Sequence, residues 1–196
     1  MSGKISSGPQ GKLAIWLKRL ANVGFTVAAV YCVYLIAILL LAAKRNAAFE
    51  GQSFGAFPIE RYVSGHPSPE PFTLSVNAER RAIILWATWC GPCHALLSNL
   101  DDEVKGGALK AEQVIAVSVA EPVEDVAAFL KATPLPFVIG LDRQGVLARA
   151  FKLSGTPTVV LVDEAGLMRN VSTGGFGLSR KIIDFLKSAP SPSLAP

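Results

Sequence analysis

The 196-residue chain has room for one domain and appendages, and half of it is apolar, more than a soluble domain usually carries. The six basic residues before position 50 (Lys4, Lys12, Lys18, Arg19, Lys44, Arg45) have no acidic counterpart there, whereas from Glu50 onward thirteen basic residues face fifteen acidic ones. The net charge of +4 therefore belongs to the N-terminal segment, and the mildly acidic remainder offers no basic stripe for nucleic acid.

Residues 1–22 read as a cytoplasmic N-terminal segment. Its first eleven residues are rich in Ser and Gly and expected to be disordered. Residues 12–22, with Trp16 among lysines and leucines, suit a short interfacial extension of a helix. Val23–Ala43 is then uncharged for 21 residues, and about 20 apolar residues match the hydrocarbon thickness of a bilayer. A cleaved signal peptide has a shorter apolar stretch, about 7–15 residues, and a small-x-small cleavage site. Here Lys44 and Arg45 follow at once, so an uncleaved transmembrane anchor over 23–43 is favoured, in contact with lipid. Four positive charges precede the span and two follow it, which places the N-terminus in the cytoplasm and the rest on the far side.

Residues 44–71 read as a linker, punctuated by Gly51, Gly55, Pro58, Gly65, Pro67, Pro69 and Pro71. The folded domain is expected over 72–188. Phe72 to Val76 reads as a short edge strand. Arg81 to Thr88 is apolar almost throughout and suits the centre of a sheet. A helix is expected from Pro92 to about Val104, a strand from Gln113 to Val119, and a helix from Pro122 to Ala132 with proline at its first position. Phe137 to Leu141 reads as a strand and Gly145 to Phe151 as a helical turn. Thr158 to Val162 and Leu167 to Val171 read as a hairpin about Ala165-Gly166. Ser179 is the expected cap of a last helix through Lys187. Strands alternating with helices imply an α/β fold with a mixed sheet covered on both faces. The tail 189–196 is too rich in proline to continue a helix.

Cys90 and Cys93 dominate the chemistry. They lie in Trp89-Cys90-Gly91-Pro92-Cys93, where a buried strand gives way to a helix. Two residues between the thiols let both sulfurs meet on one helical turn, with Gly91 and Pro92 setting the turn. A thiolate at Cys90 would face unpaired N–H groups and the positive end of the helix dipole, which lowers its pKa. Cys93, one turn in, would resolve a mixed disulfide. Structural zinc would call for four ligands, and only His66, His94 and Cys32 remain, scattered over linker, helix and span. No metal is expected. Two inert core cysteines are disfavoured by the strand-to-helix setting. A Cu(I)-holding dithiol remains an alternative in a different class, since soft thiolates suit that ion. A peroxidatic cysteine would require nearby Thr and Arg that the CxxC context does not supply.

The CGPC segment with its Trp89 is similar, letter for letter, to the thioredoxin active site. With Trp86-Ala87-Thr88, the anchor and Leu153-Ser154-Gly155-Thr156-Pro157-Thr158-Val159, residues 72–188 resemble the membrane-anchored TlpA/ResA-like thiol-disulfide oxidoreductases of the thioredoxin-like superfamily. The resemblance implies a thioredoxin-like fold, redox-active Cys90 and Cys93 supported by Trp89, Gly91 and Pro92, and a cis bond before Pro157, which faces the cysteines. It implies that Thr156 offers its backbone to the substrate chain. It also implies protein disulfide or dithiol substrates, no bound cofactor, a membrane electron donor, and a place on the bacterial inner membrane with the domain in the periplasm or outside the cell. Gly-Pro between the cysteines resembles the reducing members, so a reductase is favoured over an oxidase or isomerase. No G-x-G-x-x-G for NADPH or flavin occurs. Three positions depart from the pattern. The buried acid of thioredoxins, six residues before the first cysteine, is Ile84. The helix-kinking proline, five after the second, is Ser98. The glutamate that some cytochrome c maturation members carry three after the second cysteine is Leu96, which weakens that specialised assignment. With Ile84 in place of the acid, proton transfer at Cys93 falls to another base or to water, and His94 or a residue of the partner protein is a candidate.

Overall fold

The computed structural model describes residues 9–66, 68–76, 78–174 and 177–188. The expected disordered tail 189–196 and the first eight residues lie outside these. The chain divides into two compact units, 1–45 and 46–196.

The first unit contains most of one helix, α1 (Pro9–Phe49). It runs unbroken through the expected interfacial extension and through 23–43. Its described apolar side chains from 22 to 38 are exposed, among them Phe25 (79 %), Val33 (67 %) and Ile36 (54 %). Among the described residues, no helix is long and apolar enough to cross a membrane.

The second unit is a seven-stranded mixed sheet. Its strands are β1 (Ala56–Tyr62), β2 (Glu70–Ser75), β3 (Arg81–Trp86), β4 (Val114–Val119), β5 (Val138–Asp142), β6 (Thr158–Val162) and β7 (Met168–Thr173), in the order β2-β1-β5-β4-β3-β6-β7. β4 runs parallel to both β3 and β5, and every other pairing is antiparallel. Among the described residues, the α-helices that follow α1 are α2 (Gly91–Lys105), α3 (Val123–Ala132), α4 (Val146–Ala150) and α5 (Leu178–Lys187).

Alternation along the strands divides the core. Ala82, Ile84 and Trp86 of β3 pack with Leu96, Leu97 and Leu100 of α2, Val126 and Leu130 of α3, and Ile182 and Leu186 of α5. Ile83 and Leu85 face the other way, toward Leu147 of α4, Phe54 and Phe151. The rings of Phe49, Phe54, Phe57 and Phe151 close that side, with centroids 5.1–5.9 Å apart. β3 and β4, buried on both faces, are the centre that their apolar runs require.

Two sequence expectations change here. The stretch 44–71 is more than a linker, because it holds β1 and the first residues of β2. β1 buries Ile59 alone, and Pro58 lies within it, so neither a hydrophobic alternation nor a ladder donor announces it. α5 begins at Leu178 with Gly177 as its cap, at a left-handed φ of 84°, and not at Ser179. Glycine adopts that backbone without steric cost.

Candidate active site

The loop between β3 and α2 carries the site. Trp86 ends the central strand, and the Cys90 amide then donates to Ala87 O (3.1 Å) and closes a turn. Cys90 is the N-cap of α2 and Pro92 stands within its first two residues, where a missing N–H costs nothing. The Cys93 amide donates to Cys90 Sγ (3.3 Å), so the cap acceptor is a sulfur. Cys90 and Cys93 form a disulfide with Cα atoms 5.2 Å apart. Both are buried, whereas the indole of Trp89 stands 74 % exposed beside them. A Cβ built on Gly91 meets nothing within 4 Å. Its backbone lies outside the left-handed region, so glycine there leaves the approach to Cys90 open without being demanded by the turn.

The peptide bond between Thr156 and Pro157 is cis. Pro157 shares with Pro92, Ala95, Leu96, Asn99 and Leu178 the wall of a groove of about 440 Å³. The groove thus brings together the start of α2, the loop before β6 and the start of α5. Leu96, where some relatives of the expected class carry glutamate, makes its floor apolar.

Behind the disulfide lies a stack of rings. Trp86 packs on Phe129 of α3 at 5.1 Å between centroids, and His94 packs on the same ring at 4.8 Å. The Trp86 indole N–H is buried without a partner among the described residues. His94 Nε2 lies 2.7 Å from Thr88 O. A carbonyl only accepts, so Nε2 is the protonated nitrogen and Nδ1 alone could take a proton.

One residue of this neighbourhood escaped the sequence reading. Glu121, just past β4, is 8 % exposed. Its carboxylate accepts from the Thr88 amide (3.0 Å to each oxygen), from Thr88 Oγ1 (2.5 Å) and from Ser118 Oγ (2.6 Å). Ser118 near the end of an apolar strand, with Glu121 three positions on, was the available signal. The remaining polar residues singled out earlier lie elsewhere. His66 sits 3.9 Å from Glu70 at the surface, and Cys32 is free and exposed on α1. Among the described residues, no group of three or more His, Cys, Asp or Glu could hold a metal.

Residues 52–181 match the family model described as Redoxin. The chain belongs to the Redoxin family. The chain is 30 % identical over 89 residues to the thiol-disulfide oxidoreductase ResA of Geobacillus thermodenitrificans, covering 45 % of this chain and 51 % of that protein. It is 26 % identical over 108 residues to the sporulation thiol-disulfide oxidoreductase A of Bacillus subtilis, covering 54 % of this chain and 66 % of that protein. The chain thus spans about half the length of the ResA proteins it matches. Among solved structures, StoA from Bacillus subtilis superposes with a TM-score of 0.54 at 19 % identity, over 67 % of this chain and 96 % of that one. A putative thiol:disulfide interchange protein DsbE from Chlorobium tepidum gives 0.56 at 24 % identity, over 70 % and 97 %. The Redoxin domain therefore has the thioredoxin-like fold that the two motifs implied.

Proposed function

We propose that the chain is a thiol-disulfide oxidoreductase that reduces protein disulfides outside the cytoplasm, anchored in the bacterial inner membrane through residues 23–43. The observation that carries this reading is the Cys90–Cys93 disulfide at the mouth of α2, beside the groove that Pro157 lines. In the dithiol form the Cys90 thiolate attacks one sulfur of a substrate disulfide. That bond breaks, a mixed disulfide forms, and the first substrate thiolate leaves and takes a proton. Cys93, deprotonated in turn, attacks Cys90 Sγ; the second substrate thiolate leaves and the Cys90–Cys93 disulfide closes. Two electrons have passed to the substrate, and a membrane dithiol donor must return them. Cys90 is suited to the first attack because it caps the helix, where N–H groups favour negative charge. Thr156 would pair its backbone with the substrate chain, and Trp89 would shape the rim.

Several observations support the anchor: the uncharged run 23–43, the exposure of its described apolar side chains, and the charge excess on its N-terminal side. Contiguous exposed apolar surface of this kind needs a cover, and lipid supplies one.

Insulin reduction with dithiothreitol as donor tests the chemistry: turnover above the dithiothreitol background is expected, and its absence would sink the reading. Alkaline carbonate extraction of membranes tests the anchor. Retention in the pellet is expected, and release to the supernatant contradicts it.

A further inference from the structure

Four carboxylates are buried among the described residues: Asp101, Glu121, Asp142 and Asp163. Three have plain structural duties. Asp101 pairs with Lys105 at 2.7 Å, Asp142 accepts from amides of α4, and Asp163 accepts from the β6–β7 turn and from Arg169. Glu121 alone bonds to the loop that carries the cysteines. It reaches that loop from a neighbouring strand: Trp86 is the register partner of Ser118, so Thr88 and Glu121 leave the ends of adjacent parallel strands side by side. Ala120 turns the chain there at a left-handed φ of 56°, a backbone that a residue with a Cβ adopts only at a steric cost.

We propose that Glu121 is a positioning residue of this active site, holding Thr88 and, through it, the Cys90 loop and the His94 ring, and that its charge biases the cysteine pair toward the disulfide. Thr88 is held on every polar atom: its amide and hydroxyl by Glu121, its carbonyl by His94 Nε2. Cys90 follows two residues later. A negative charge beside a thiol disfavours its thiolate, and the dithiol state gains from thiolate formation while the disulfide does not. The sequence places apolar Ile84 where thioredoxins carry their acid, and the buried carboxylate that bonds the loop follows the end of β4.

The proposal rests on the redox reading of Cys90 and Cys93, and the test separates the two. The full chain, in detergent and in a Cys32→Ser background, is equilibrated with reduced and oxidised glutathione. One protein disulfide and two glutathione thiols give one protein dithiol and one glutathione disulfide, with two electrons and two protons transferred. Glu121→Gln keeps the shape and removes the charge. It is expected to move the equilibrium at least threefold toward the dithiol, while Glu60→Gln, which removes a distant surface carboxylate, stays within twofold of the parent. Should Glu121→Gln not refold, Thr88→Val decides, since it deletes one of the two links to Glu121; a shift of at least twofold supports the proposal. A parent that exchanges normally beside an unshifted Glu121→Gln, or an unshifted Thr88→Val where that variant decides, overturns the role of Glu121 alone. A Glu60→Gln shift as large as that of Glu121→Gln does the same. A parent that does not exchange with glutathione overturns both readings.

Discussion

Placing an acid at position 84 tests whether the centre of the sheet can hold a carboxyl there. Ile84 is 0 % exposed. Its register partners are Ala116 and Val159, and its core cluster contains Cys93, Leu97 and Leu100. Ile84→Asp forfeits the burial of an isoleucine side chain, about 1.5–3 kcal/mol, and leaves a carboxyl short of partners, about 1–3 kcal/mol more. The sum, about 2.5–6 kcal/mol, is a large share of the roughly 5–15 kcal/mol that holds a domain folded. The loss must also depend on pH. Burial raises the folded-state pKa of the new acid above its unfolded value near 3.9. The unfolded state then binds fewer protons, and stability falls as pH rises from the unfolded pKa to the folded one. Urea unfolding followed by circular dichroism, at pH 5 and pH 8, reads both effects. A loss above about 2.5 kcal/mol that grows with pH is expected. A loss below about 1 kcal/mol, the same at both pH values, would show that position 84 has a polar partner and refute the reasoning.

Two further substitutions probe the scaffold. Asp142 is 1 % exposed and accepts from Val146 N (2.6 Å) and Ala148 N (3.0 Å); Asp142→Ala should cost about 1–3 kcal/mol in urea unfolding, and a cost below about 0.5 kcal/mol would contradict its capping role. The Glu60 carboxyl is held below the usual carboxylate range, chiefly by its hydrogen bond from Arg143 (2.6 Å to Nη2), against the opposing effect of burial. Its stabilising contribution is therefore present above the unfolded pKa and lost as pH falls through the lower folded value. Glu60→Gln should lower the urea midpoint slightly at pH 7, and the gap should close as pH drops below the carboxylate range. A gap that persists in acid would contradict this sign.

The parts of the fold set by strong local signals were legible in advance. The apolar runs gave β3 and β4 and the cysteine spacing marked the start of α2, while Pro122, expected as the first residue of α3, is its N-cap, in extended backbone one residue before it. β1 was hidden because a strand with one buried residue and an internal proline looks like a linker. The start of α5 shifted because a left-handed glycine, not a serine hydroxyl, begins it. The site divides along the same line. Cys90, Pro92 and Cys93 belong to one contiguous motif whose placement follows from its spacing, whereas the place of Pro157 beside them came from the resemblance of its motif. Glu121 does not, because its importance arises from strand register: a lone glutamate before Pro122 reads as an acid at a helix start until β3 and β4 are paired. His94 was a candidate base by proximity alone, and its Nε2 proves to be engaged with Thr88 O.

The central claim is that Cys90 attacks and Cys93 resolves. Mass spectrometry of Cys93→Ser in a Cys32→Ser background, after exposure to oxidised glutathione, tests it most directly. Without the resolving thiol the mixed disulfide should persist, as one glutathione adduct per chain that peptide mapping assigns to Cys90. A chain that remains unmodified, with Cys90 recovered as the free thiol, would contradict the account.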